Sequence, residues 1–175
     1  MTPAAALLVD ALGRVAEDVA GVLDGLDETH LSARVGTGAN PIGWLVWHLT
    51  RVQDDHVAGV AGSEQVWSAE GYVGRFGLPL DAADLGYGHT SEQVAAVRGF
   101  SAELLREYHD ATYRRSAAYL GTISDADLGR VVDERWDPPV TLGVRLVSVA
   151  NDCAQHVGQA AYVRGLLTGW RPASG

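Results

Sequence analysis

Asp152 and His156 stand four residues apart within residues 151–159. On an α-helix that spacing sets both side chains on one face about one turn apart, so a carboxylate and an imidazole lie side by side. This is half of a metal site, and it needs a further ligand from elsewhere in the chain. His48, in Trp44-Leu45-Val46-Trp47-His48-Leu49, sits on a second strongly helical stretch and is the candidate. Two histidines and one carboxylate form a catalytic zinc set with an open coordination position, and the same set suits non-haem iron and related metals. An ion held in this way lowers the pKa of a bound water or thiol and yields a nucleophile at neutral pH.

Each of these residues also has a plainer use. An Asp-x-x-x-His pair on a helix is frequent by chance. His48 can be a hydrogen-bonded histidine at the edge of a core. Asp152 can pair with Arg145 or Arg164, or face water, and His156 can donate to a backbone carbonyl. Cys153, between Ala150 and Val157, reads as a small core residue rather than a nucleophile. His89 is either a neighbour of a helix cap or a pocket group, and His56 is a candidate fourth ligand or outer group. His30 and His109 read as surface residues. Trp67, Tyr72, Phe76 and Tyr87 read as loop packing rather than a substrate cage.

Four amphipathic segments would have to position the site. Leu7, Leu8, Leu12, Val15, Val19, Val22 and Leu26 recur at helical spacing and predict a first helix that ends near Gly25. Residues 27–39 read as a connection that closes on Asn40-Pro41, where Asn caps and Pro suits the first turn. A second helix is expected over about 41–61, with His48 turned inward beside Leu45 and Val52, and with Arg51 and Asp54 facing water. Residues 62–90, with six glycines among their aromatics, form a long connection able to cover a pocket. Thr90-Ser91-Glu92-Gln93 has the form of a capping box, Gly99 interrupts, Ser101 caps a restart, and a third helix runs to Leu120. Residues 122–140 are a connection, with a short extended pairing of 130–132 against Val140-Thr141. Thr141 caps a fourth helix over about 142–168, stopped by Gly169-Trp170-Arg171-Pro172. The expected fold class is all-α, a four-helix bundle in one domain over residues 1–175.

Composition narrows the partners. The 175 residues carry a formal charge of −9 with no cluster of Lys or Arg, the opposite of a nucleic-acid groove. The single cysteine cannot form an internal disulfide, which fits a reducing compartment. No basic segment precedes an apolar run at the N-terminus, and no stretch suits a membrane span, so the expected location is cytoplasmic. Aromatic surface near Trp170 or the long connection is compatible with a homodimer.

Three stretches in this order resemble the DinB-like superfamily: Pro41-Ile42-Gly43-Trp44-Leu45-Val46-Trp47-His48-Leu49, then Arg75-Phe76-Gly77-Leu78-Pro79 with Gly86-Tyr87-Gly88-His89-Thr90, then Asp152-Cys153-Ala154-Gln155-His156-Val157-Gly158-Gln159. The nearest branch is similar to the one that includes the metal-binding domain of mycothiol-dependent maleylpyruvate isomerase. The resemblance spans nearly the whole chain. It implies a bundle with a divalent metal, zinc or nickel, between the second and fourth helices, and ligands at His48, Asp152 and His156. At the position of Asp152 many members have histidine and the isomerase-like branch has glutamate, so aspartate keeps the charge with one methylene less of reach.

The same resemblance implies an activity, because characterised members are often transferases or isomerases that use a low-molecular-weight thiol such as mycothiol. The metal would stabilise a thiolate that attacks a small electrophilic substrate. His56, His89 and Asp55 are then the candidates for a base. The chain lacks the additional C-terminal domain of maleylpyruvate isomerase, so its substrate is not transferred. Two other readings stand beside this one: a stress-associated metal-binding or interaction bundle without turnover, in which His56 would cap the metal, and a structural bundle in which His48 points away from His156.

Overall fold

The computed structural model describes residues 1–171; Pro172, expected to help stop the last helix, lies outside them. Four long helices make the bundle: α1 (Pro3–Leu23), α3 (Ile42–Ala61), α7 (Ala102–Leu120) and α8 (Leu142–Thr168). Four short helices lie in the connections: α2 (Glu28–Ser32), α4 (Val66–Ala69), α5 (Tyr72–Phe76) and α6 (Ser91–Ala96). A two-stranded antiparallel pair, β1 (Val131–Asp133) and β2 (Val140–Thr141), precedes α8, with Val131 opposite Thr141. Among the described residues no helix is long and apolar enough to cross a membrane.

The capping chemistry explains where the helices begin. Thr2 accepts from the Ala5 amide with Pro3 in the first turn, Ser101 accepts from Leu104, and Thr141 from Val144. Thr90 and Gln93 complete the expected capping box. At α3 the expectation was off by one residue: Pro41 is the N-cap and Asn40 does not serve, because Pro41 is held in the extended region at φ −75° and ψ 161°. Gly99, at φ +88°, separates α6 from α7.

Helix α3 is central. Every residue from Ile42 to Asp54 is buried, because α7 and α8 pack on it and the 62–90 segment folds back over the remaining face. Trp47, only 1 % exposed, anchors this core, and its truncation to alanine would cost about 3–5 kcal/mol. The expectation that Arg51 and Asp54 face water is therefore overturned: they are 0 % and 2 % exposed.

Those two charges are what hold the connection down. Asp54 accepts from the amides of Val66 and Trp67, both at 2.8 Å, and so caps α4, while the Tyr108 hydroxyl donates to the same carboxylate at 2.9 Å. Arg51 donates to Gln65 Oε1 at 2.7 Å and to the carbonyls of Ala82 and Asp84, and its guanidinium lies over the Trp67 ring. An irregular segment laid on a core brings backbone groups that need partners, and a buried ion pair supplies them.

His109 is the second correction. It was expected at the surface, yet it is 0 % exposed on the α7 face turned toward α3. Thr50 gives its hydroxyl proton to the Val46 carbonyl and takes one from His109 Nδ1 at 3.0 Å. The opposite ring nitrogen, Nε2, is buried without a partner.

Candidate metal centre

The bundle brings α3 and α8 together so that His48 meets the Asp152–His156 pair. One ligand atom from each of the three residues lies within 4.8 Å of the other two. His48 is 3 % exposed; Asp152 and His156 are half-buried beside it. His56 does not join the three, so the reading in which it caps a metal lacks its fourth ligand.

Which ring nitrogens face the gap follows from what their opposite atoms do. His48 Nδ1 donates to the Leu85 carbonyl at 2.5 Å, and His156 Nδ1 donates to the Asp152 carbonyl at 2.8 Å. A neutral imidazole has one proton, so Nε2 of each ring keeps its lone pair, the form in which histidine binds a metal. Asp152 Oδ2 is buried with no donor; His156 Nδ1 is 3.4 Å away, with its proton given to the nearer carbonyl. Two bare nitrogens and an unpartnered carboxylate oxygen on rigid helices form a donor set that fits a divalent cation.

Electrostatics favour a neutral His48 and an ionised Asp152, and pull His156 the other way, toward its protonated form. Burial holds the His48 pKa below its ordinary value, and the neighbouring His156 adds to the effect. The carboxylate of Asp152 raises the pKa of His156. Burial works against ionisation of Asp152, but His156, His48 and His56 outweigh it, so the carboxyl titrates below its usual range.

The long connection fastens His48 from behind. Gly86, at φ +95°, passes so close that a Cβ there would stand 2.8 Å from His48 Nδ1 and 3.1 Å from both the Trp44 and Trp47 rings. Only glycine combines that backbone angle with that approach. Trp44 stacks on His48 with centroids 4.7 Å apart, and its indole N–H donates to His89 Nδ1 at 3.1 Å. His89 Nε2 then donates to Asp84 at 2.9 Å, and Asp84 accepts from the Gly86 amide. The choice left open for His89 is thereby decided: it braces the loop behind the site.

A cavity of about 380 Å³ opens beside Asp152. Its walls include Tyr87, His56, Arg145 and the hairpin residues Asp133, Arg135 and Trp136. The expectation that residues 62–90 form this pocket holds only for Tyr87. Trp67, Tyr72 and Phe76 pack instead with Tyr108 inside the bundle, as loop-packing residues would. Arg145 does not pair with Asp152; it donates to Asp133 Oδ2 and to His56 Nδ1, both at 3.0 Å. Burial and the Arg145 charge lower the His56 pKa, with Asp55 and Asp152 opposing them. Arg164 is engaged elsewhere, donating to the Val22 and Asp24 carbonyls at the end of α1. The sequence did carry a signal for Arg145: positions 145, 149, 152 and 156 follow one helical face. Nothing local marked Asp133 or Leu85.

Cys153 lies outside the site chemistry. It is 0 % exposed, its Sγ faces the Leu49 carbonyl at 3.6 Å, and burial pushes its thiol pKa up.

A family model described as Mycothiol-S-transferase matches residues 7–169, a span that includes His48, Asp152 and His156. Among solved structures, a conserved protein from Enterococcus faecalis is similar to this chain at 29 % identity with a TM-score of 0.90, covering 97 % of this chain and 100 % of the other. The curated proteins contain no match.

Proposed function

We propose, proceeding from the fact that this chain belongs to the mycothiol-S-transferase family, that it is a metal-dependent enzyme transferring a low-molecular-weight thiol such as mycothiol to a small electrophile, or isomerising a substrate through such a thiol. The supporting observation is the shared arrangement of the two histidines. Each spends its Nδ1 proton on a backbone carbonyl and keeps an Nε2 lone pair beside the undonated Asp152 oxygen. A divalent ion held by His48, Asp152 and His156, zinc or nickel, would supply the Lewis acidity that keeps a sulfur as thiolate at neutral pH.

The residues of the chain supply position and surroundings. Asp152 brings a negative charge that offsets part of a cation's charge. Three protein ligands leave coordination positions for ligands from the cavity. Trp44 and the Leu85 carbonyl fix the plane and the tautomer of His48, as groups behind a metal-binding histidine do. The thiol and the electrophile share the cavity walled by Tyr87, His56 and the hairpin. We read residues 1–175 as one domain, acting in the cytoplasm on small molecules and not on nucleic acid.

Elemental analysis of the purified, untagged protein with His156→Ala beside it tests the reading. About one equivalent of zinc or nickel per chain is expected in the wild type, with loss in the variant. Thiol consumption in the presence of an electrophile should depend on that metal. No metal in either protein, even after incubation with zinc, would sink the mechanism.

A further inference from the structure

Asp133, Arg145 and His56 form a hydrogen-bonded chain beside the metal-binding residues, and the chain decides where a proton sits. Arg145 Nη2 donates to Asp133 Oδ2 at 3.0 Å while Nη1 meets His56 Nδ1 at 3.0 Å. A guanidinium has only donors, so the ring nitrogen facing it accepts. His56 Nδ1 is therefore bare, and a neutral ring carries its proton on Nε2. Asp55 Oδ2 is 3.5 Å from the same Nδ1, farther than Arg145, and the other oxygen of Asp55 accepts from Gln65 at 2.8 Å. Asp133 is itself held by Arg135, which donates to both of its oxygens at 2.9 Å.

This is the reverse of the tautomer in His48 and His156, whose protons are on Nδ1. It turns His56 from a metal ligand into a donor. Its Nε2 lies 3.5 Å from the Tyr87 hydroxyl oxygen, which can accept that N–H and keep its own proton for a ligand. Tyr87, His56 and Arg145 all line the cavity that takes in Asp152. A molecule there thus faces the Tyr87 hydroxyl, backed by His56, next to the metal-binding residues.

We propose that Asp133 and Arg145 lock His56 in the Nε2–H form, so that Tyr87, backed by His56, donates a hydrogen bond to an oxygen of the electrophilic substrate. The substrate class this favours is an α,β-unsaturated ketone or aldehyde. The inference rests on the thiol-transfer reading of the same site. The thiolate sulfur forms a bond to the β-carbon, and the C=C electron pair moves to give an enolate with its charge on the carbonyl oxygen. The Tyr87 hydroxyl stabilises that charge, and the α-carbon then takes a proton from water. Nothing is oxidised or reduced. Tyr87 touches substrate; His56, Arg145 and Asp133 are positioning residues.

Two measurements test the proposal. Nitrogen-15 NMR of the imidazoles, on metal-free protein at mildly alkaline pH, should show His56 with a protonated Nε2 and a bare Nδ1. In Arg145→Gln that single form should give way to a mixture. A proton found on His56 Nδ1 in the wild type overturns the proposal, whatever the metal does. The second measurement compares kcat/KM for an unsaturated ketone with that for an alkyl iodide, which has no acceptor oxygen. In Tyr87→Phe and His56→Leu the loss should be about tenfold greater for the ketone, and His56→Gln, which keeps an N–H near the Nε2 position, should recover part of it. Equal losses on both substrates overturn the substrate assignment. If the wild type takes up no metal, the thiol-transfer reading and the substrate assignment fall together, while the NMR result still decides the tautomer.

Discussion

The imidazoles of His48 and His156 meet edge to face, with ring centroids 4.6 Å apart and planes inclined at 71°. One ring comes from the second long helix and the other from the fourth, and each is oriented by a carbonyl behind it. The position of one ring is governed by the 62–90 segment, that of the other by a single helical turn. This division underlies the first prediction.

Gly86→Ala should damage the site without touching a ligand. A methyl group at 2.8 Å from His48 Nδ1, on a backbone at φ +95°, must push the Leu85 carbonyl or the ring away. We expect metal affinity to fall roughly 10–100-fold, the range for loss of a group that orients a ligand, with about 1–3 kcal/mol of lost stability from backbone strain. Zinc titration and urea unfolding measure the two separately. Wild-type affinity in the variant would show that the loop does not orient His48.

Acid should weaken the metal-free fold through His109. Burial lowers its pKa from 6.5 to about 4. Between those values the unfolded chain binds a proton that the folded chain excludes, so stability is fully present above the upper value and is lost as pH falls toward the lower one. The span corresponds to about 3 kcal/mol. His48 and His56, also lowered, act in the same direction, whereas His156, raised, acts in the opposite one. The difference between wild type and His109→Gln in urea unfolding, followed across this range, isolates the one residue. A pH-independent difference would count against a neutral, buried His109.

Asp54→Ala should be among the most damaging changes in the chain. It removes the acceptor of two backbone amides and of the Tyr108 hydroxyl, and it leaves Arg51 buried beside the gap. A loss of about 3–5 kcal/mol is expected. Because α4 would lose its cap, proteolysis should cut first within residues 62–90. A loss under about 1 kcal/mol, the size of a surface ion pair, would mean that the network is dispensable.

Cys153 should be chemically silent. The native protein should fail to react with an aromatic disulfide reagent and should release one equivalent of thiol on unfolding in urea, since Cys153 is the only cysteine in the sequence and is buried. Cys153→Ala should keep metal binding and thiol transfer, at a cost of about 1–2 kcal/mol for the small cavity. Rapid modification of the folded protein would contradict its burial.

Three residues of the candidate site could be read in advance. Asp152 and His156 are four apart, and His48 sits on an apolar stretch whose neighbours turn it inward. The helices that carry them were readable for the same reason: Thr90, Ser101, Thr141 and the apolar periodicity act within a few residues of one another, and local physics decides them. Arg51 and Asp54 were misread because a helical pattern reveals one buried stripe, while α3 is covered on a further face by residues 62–90 folding back on it, and His109 was misread because its face of α7 packs on α3 at Thr50.

What the sequence determined by itself, then, is the set of helices, their caps and the presence of a carboxylate and two histidines on inward faces. The tertiary structure alone decided how those groups are used. It set the Leu85 carbonyl against His48, drew Arg145 to Asp133 and His56 instead of Asp152, and buried the charges that hold the connection down. The physical reason is that a helix is specified by neighbours along the chain, whereas a proton's position on an imidazole, or the partner of a buried charge, depends on whichever distant backbone or side chain arrives within hydrogen-bonding distance.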